Sequence, residues 1–182
     1  MLRGLHSGPM CAASLDQGEE PMGTRAIEAA KLALCLIACQ VAGLFGSFFT
    51  IRSVETWYVT IEKPAFNPPN WVFAPVWTTL FLMMGVAAFL VWRKGLELRP
   101  VKVALGLFVA QLILNTLWSP AFFGLRSPLA GLVVIALLWP AVILTIRSFF
   151  PVSKVAALLL VPYMLWISFA AVLNTSILVL NS

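Results

Sequence analysis

Five stretches of this chain carry no charged side chain, and each is about as long as a helix needs to be to cross a bilayer. They are 32–51, 64–92, 103–125, 127–146 and 155–182, and Lys or Arg stands at the boundaries. A hydrocarbon core about 30 Å thick takes roughly 20 residues of helix. The runs are continuous, as helices facing lipid must be to satisfy their own backbone groups. Membrane β-strands would be short and alternating. The pattern predicts an all-α integral membrane protein, a five-transmembrane-helix bundle, with helices at about 30–50, 71–93, 101–123, 127–149 and 153–179. Composition agrees: 61% of residues are hydrophobic and 10% charged, against about 25% charged in a soluble domain.

An odd number of spans puts the termini on opposite sides. Nine Lys and Arg fall on the N-terminal side and three (Arg52, Lys63, Arg126) on the other. By the positive-inside rule the N-terminus is cytoplasmic. The reading favours a bacterial cell membrane, with an organelle membrane, mitochondrial or plastid, as the alternative. The net charge of +5 is this asymmetry; no basic stripe marks a nucleic-acid partner. Residues 1–25 lack periodicity and read as a disordered tail preceding a membrane domain at 26–182. No apolar stretch of secretory-signal type lies in that tail.

Conventional chemistry has few players. The sole histidine is His6, in the tail, and no His/Cys/Asp group has metal-ligand spacing. Cys35 and Cys39 lie one turn apart and read as small packing residues. No catalytic residue, metal or required cofactor is expected.

The segment from Trp57 to Trp77 is different in kind. It holds three Trp, one Tyr, two Phe and four Pro, and runs straight into the second apolar stretch. Proline fixes φ and removes donors, so the segment should be a stiff loop. Aromatic rings sit well at a bilayer interface and stack on flat ligands. A stiff aromatic loop on a membrane bundle reads as a lid over a pocket for a flat, greasy molecule. Helical spacing extends the pattern. Gln111, Asn115, Trp118 and Phe122 share one face of the third span. Trp77, Phe81 and Met84 share one on the second, and Pro162, Trp166, Ala170 and Leu173 one on the fifth, with Asn174 beside them. Amides in lipid are costly unless paired, so Gln111, Asn115 and Asn174 should face the bundle. Trp57, Trp71 and Trp92 lie near span ends and read as interface anchors. Gly43, Gly46 and Gly85 read as points of close helix approach.

These residues resemble the translocator protein family, also called the tryptophan-rich sensory proteins (TspO/MBR) or peripheral-type benzodiazepine receptors. The matching pieces begin with Trp57-Tyr58, Lys63-Pro64-x-Phe66-x-Pro68-Pro69 and Trp71-Val-Phe73-x-Pro75-Val-Trp77-Thr78. Gln111-x-x-x-Asn115-x-x-Trp118-Ser119 and Phe122-Phe123-Gly124 follow. Pro162-Tyr163-x-x-Trp166, Phe169-Ala170 and Leu173-Asn174 complete the set, and together they span about residues 30–181. The resemblance implies a five-helix bundle, usually a homodimer, whose pocket opens toward the first loop. It implies porphyrins such as protoporphyrin IX as ligands, with sterols or other flat lipophilic molecules in some members. It implies a pocket built from Tyr58, Pro68, Phe73, Trp77, Asn115, Trp118, Ser119, Ile135, Trp166, Ala170 and Leu173. In some members two pocket tryptophans support light-dependent porphyrin breakdown, and Trp77 and Trp166 match those positions. The expected role is a membrane receptor or sensor that binds tetrapyrroles and regulates their metabolism. The alternatives are a transporter of porphyrins or other lipophilic ligands such as sterols, and a light-dependent porphyrin-degrading enzyme. The spans show no inverted repeat and no intramembrane charge for ion coupling, which counts against transport.

Overall fold

The computed structural model describes residues 22–182. Five segments in it are long and apolar enough to cross a membrane. Helix α1 spans Met22–Val54, α2 Asn70–Trp92, α3 Arg99–Ser119, α4 Pro128–Phe149, α5 Lys154–Leu159 and α6 Val161–Leu180. Together α5 and α6 make the fifth span. Among the described residues there is no strand. The chain is an integral membrane protein.

Turn chemistry sets most boundaries. Ser127 Oγ accepts from Ala130 N at 3.2 Å and Ser153 Oγ from Ala156 N at 3.3 Å, capping α4 and α5. Pro100 and Pro128 occupy first turns, where no amide donor is needed. Gly95 takes φ 108° in the turn after α2, a conformation open to glycine. These short turns make sequence neighbours antiparallel. The helices close into a ring in the order α1, α2, α5/α6, α4, α3, with α2 also touching α3.

The observed bounds correct three expectations. Helix α1 starts at Met22 and runs to Val54, beyond the expected 30–50 at both ends. Its charged first turns are held by Glu28, whose Oε1 meets Lys31 Nζ at 2.9 Å and whose Oε2 meets Arg93 Nε at 3.3 Å. Residues 22–25 are therefore helix, not tail; the disorder expected of 1–21 lies outside the described residues. The third span ends its α-helix at Ser119, not 123, and continues as a π-helical turn, Pro120–Gly124. Pro120 has no amide donor, and the wider turn is closed by Leu125 N to Pro120 O at 2.9 Å. The fifth span is interrupted at Leu160. Pro162 cannot donate to Leu158, the bond a continuous helix would need there. The break lets α5 pack on α2 while α6 packs on α4. Aromatic side chains fill the gap that opens between α2 and α6.

Away from the first loop the bundle is closely packed. Met84, Ala87, Val91, Ala104, Val142, Phe149, Ala156 and Tyr163 have no more than 1% of their surface exposed. The rings of Phe108 and Phe149 stack at 5.9 Å. A Cβ on Gly85 would lie 3.0 Å from Leu36 Cα, so glycine sets the separation of α1 and α2 there.

Candidate functional site

A cavity of about 450 Å³ lies between α1, α2, α3 and α6, under the loop 55–69. Pockets for drug-sized ligands run roughly 300–1,000 Å³. Its walls are aromatic. Trp77 and Trp166 stand perpendicular with centroids 6.4 Å apart. Phe73 meets Trp166 edge-on at 5.9 Å, and Phe169 lies 5.5 Å from Trp166. Across the cavity Trp118 stacks on Phe122 at 5.4 Å.

The π-helical turn after α3 shapes this end. It presents Phe122 and Phe123 side by side, 4.8 Å apart, and both line the cavity. Tyr58 folds down from the loop onto Phe123 at 5.7 Å and is 5% exposed. Its hydroxyl donates to Asn67 Oδ1 at 3.0 Å, and Asn67 Nδ2 donates to Pro68 O at 3.1 Å. Lys63 Nζ sits 4.8 Å above the Tyr58 ring. Burial pushes the Tyr58 phenol above its ordinary pKa. The far side of the loop is tied to the chain terminus. Asn181 accepts from Glu62 N and donates to Glu62 O, both at 2.9 Å. Two side-chain brackets thus hold the loop closed over the aromatic walls.

The polar groups divide into those used by the bundle and those left to the cavity. Ser119 Oγ donates to Gly46 O at 2.7 Å and lies 2.7 Å from Thr50 Oγ1, joining α3 to α1. Gln111 accepts from the Tyr163 hydroxyl at 3.0 Å and serves packing away from the cavity. Asn174, with its amide turned to suit both neighbours, donates to Pro128 O at 2.9 Å and accepts from Leu132 N at 3.0 Å. Asn115 is 6% exposed, lines the cavity and makes no side-chain hydrogen bond among the described residues. Trp118 also lines the cavity, and its Nε1 is buried without a partner. An unpaired buried donor costs free energy, so the Trp118 indole N–H is suited to a ligand that carries polar atoms, as is the Asn115 amide in the same cavity wall.

Nine of the eleven residues expected in a pocket meet around this cavity: Tyr58, Phe73, Trp77, Asn115, Trp118, Ser119, Trp166, Ala170 and Leu173. Pro68 and Ile135 do not. Pro68 is occupied in the loop, where its carbonyl accepts from Asn67. Ile135 is buried, but it sits on α4, which packs behind α3 and α6 and contributes no lining residue. Trp57 is not an interface anchor. It packs on Phe122 at 5.6 Å, because the loop turns inward at Ser53, whose carbonyl accepts from Tyr58 N at 2.9 Å. Trp71, by contrast, is 74% exposed at the start of α2, where an anchor belongs. Trp139 reaches Ser168 Oγ with its Nε1 at 3.0 Å, outside the cavity. Arg52 also lies outside it, with its guanidinium 4.2 Å above Phe48.

Sequence reasoning missed the contribution of α1. Gly43, Ser47, Thr50 and Val54 form one wall. A Cβ on Gly43 would lie 2.6 Å from the Phe81 ring, so the glycine admits that ring between helices. Gly43 and Gly46, one turn apart on α1, are the available signal, and small residues at that spacing point to helix packing as readily as to a cavity wall.

The model of the TspO/MBR family matches residues 35–180. The chain is 52% identical to "Tryptophan-rich protein TspO" of Chlorobaculum tepidum over 150 residues, 82% of this chain and 95% of that one. It is 49% identical to the protein of the same name from Archaeoglobus fulgidus, over 84% of this chain and 97% of that one. It is 41% identical to the human "Translocator protein", over 71% of this chain and 77% of that one.

Proposed function

The chain belongs to the TspO/MBR family, and from that premise we propose that it is a membrane receptor for porphyrins that regulates their metabolism. Membership supports a sensor- or transporter-type role in the membrane. The observation that carries the finer reading is the cavity itself. Four aromatic rings, Phe73, Trp77, Trp166 and Phe169, line one side, Trp118 and Phe122 line the other, and Asn115 is left unpaired. A flat conjugated ring matches such walls, and stacking on each face contributes roughly 1–3 kcal/mol by analogy with nucleic-acid bases. Asn115 and the Trp118 indole N–H would meet polar atoms of the macrocycle. Lys63, above Tyr58 at the loop, is a cation at the cavity roof that would meet a ring carboxylate.

Regulation by binding fits the geometry better than passage. The cavity ends at the packed half of the bundle, where Met84, Val91 and Tyr163 leave no opening. Transport would require those side chains to separate. A second reading, light-driven porphyrin breakdown, is favoured by the perpendicular contact of Trp77 and Trp166 in the cavity wall.

Quenching of tryptophan fluorescence by protoporphyrin IX, in the dark and in detergent, tests the proposal. Saturable quenching that weakens in a Trp77→Phe/Trp166→Phe variant is the expected result. Absence of saturable quenching in folded protein would overturn it. Illumination of the same samples separates the readings. Product formed only with both tryptophans present indicates photochemistry, and intact porphyrin indicates binding alone.

A further inference from the structure

A second groove opens on the outer face of the bundle, between the end of α1, the π-helical turn and α4. Its floor and walls are apolar: Phe48, Phe49, Leu117, Leu125 and Val134. A Cβ on Gly124 would lie 3.1 Å from the Phe49 ring, so the glycine lets that ring form the floor. Arg52 and Arg126 both line this groove. They are two of the three cations at the loop end of the described chain, Arg52 in the last turn of α1 and Arg126 after the π-helical turn, the third being Lys63. No Asp or Glu lines the groove, and neither arginine forms an ion pair among the described residues.

Arg126 also carries backbone strain. Its φ is 51°, and it is the one non-glycine residue with positive φ among the described residues. Glycine takes such a conformation freely and a branched or long side chain does so at a cost. The strain argues for a role of the guanidinium at this place. Charge decides the occupant. Around the groove, Phe45, Phe48, Leu129 and Val133 are exposed, as lipid-facing residues are. The arginines sit at the ends of the first and third apolar runs, where a bilayer places its headgroups.

We propose that this groove is a binding site for one anionic phospholipid, with the phosphate between Arg52 and Arg126 and an acyl chain along Phe49, Leu117 and Val134. Two unneutralised guanidiniums beside an apolar trough match a negative headgroup with a hydrocarbon tail. They match a zwitterionic headgroup less well, because its own cation opposes them. Arg52 and Arg126 line no part of the aromatic cavity, so this site stands apart from the porphyrin reading.

Native mass spectrometry of the detergent-solubilised protein tests it, using equimolar phosphatidylglycerol and phosphatidylcholine with matched chains. One retained lipid, enriched in phosphatidylglycerol, is expected. Arg52→Gln and Arg126→Gly should each reduce that preference about fivefold, since each basic residue near an anionic surface adds a comparable amount. Glycine suits the backbone at 126, so that variant removes the guanidinium while easing the fold. Quenching by protoporphyrin IX should be unchanged in both variants. Equal retention of the two lipids would overturn the proposal, as would a preference that survives loss of both arginines. Diacylglycerol retained as well as phosphatidylglycerol would overturn the role of the phosphate. A shift from dimer to monomer in the variants, without a change in lipid preference, would show that a second copy covers the groove and would also overturn it.

Discussion

The two ends of this bundle are both apolar and do opposite things. At the end away from the first loop, small and medium side chains interlock. Ala87, Ala104 and Ala156 are fully buried, and Phe149 stacks on Phe108 with none of its surface exposed. At the loop end the side chains are larger, the rings meet mostly edge to face, and about 450 Å³ stays open. Rings that meet edge to face leave gaps between them that the stacked pair and the alanines of the packed end do not. The break at Pro162 lies where the two regimes meet, and the π-helical turn from Pro120 lies within the open one. The difference teaches that packing in one half supplies the stability that lets the other stay open.

Exchanging the demands on the two ends should break this comparison if it is wrong. Phe149→Ala removes a buried ring from the packed end and should cost about 3–5 kcal/mol of stability. Thermal unfolding in detergent reads this, and porphyrin affinity in the folded fraction should hold. Trp166→Ala should do the reverse. It should weaken protoporphyrin IX about tenfold or more in a quenching titration, on a scale of roughly 1–3 kcal/mol per stacked face. Its unfolding temperature should fall less than that of the Phe149 variant. A larger loss of stability at Trp166 than at Phe149 would remove the distinction between the ends.

Asn115→Leu sharpens the point. Its amide makes no side-chain hydrogen bond among the described residues, so an apolar side chain of similar volume should leave the ligand-free protein as stable or more so. Affinity for a ligand with polar ring atoms should drop about fivefold, the scale of one hydrogen bond at about 1 kcal/mol. The smallest effect concerns the loop. Burial raises the Tyr58 pKa, so the folded protein holds the phenolic proton more tightly than the unfolded chain. Its contribution is complete below the ordinary tyrosine pKa of about 10 and is lost as pH rises through the raised value. Loop amides at 55–69 should exchange hydrogen faster at about pH 11 than at pH 8 by more than the intrinsic rate change, and Tyr58→Phe should abolish the excess. An excess unchanged in that variant would place the titration elsewhere.

Much of the site was legible because its aromatic and amide side chains recur at helical spacing. Trp77 and Phe81, Asn115 and Trp118, and Trp166 and Ala170 each recur at helical spacing, and all six line the cavity. What failed was choosing between two buried faces or two apolar surroundings. Ile135, expected in the pocket, is buried, yet α4 turns that face toward the bundle and not the cavity. Trp57 could satisfy its ring in a bilayer interface or against another ring. Only the π-helical turn, which brings Phe122 within 5.6 Å, decides for the second. Helix α1 carries no tryptophan, so its wall of glycine, serine and threonine gave no aromatic signal.

Sequence alone determined the class, the number of spans and the aromatic character of the site. Charge in hydrocarbon is too costly to be hidden, and the spacing of charges therefore reports the membrane directly. The order of the helices in the ring, the splay of α6 from α2 and the cavity this leaves were decided only in three dimensions. So was the meeting of Arg52 and Arg126 at one groove from points 74 residues apart by number. The physical reason is that lipid offers no hydrophobic drive to sort one apolar helix face from another. Which faces meet depends on shape, on glycines such as Gly43 and Gly85, and on where proline breaks a helix, and these act through neighbours distant in sequence.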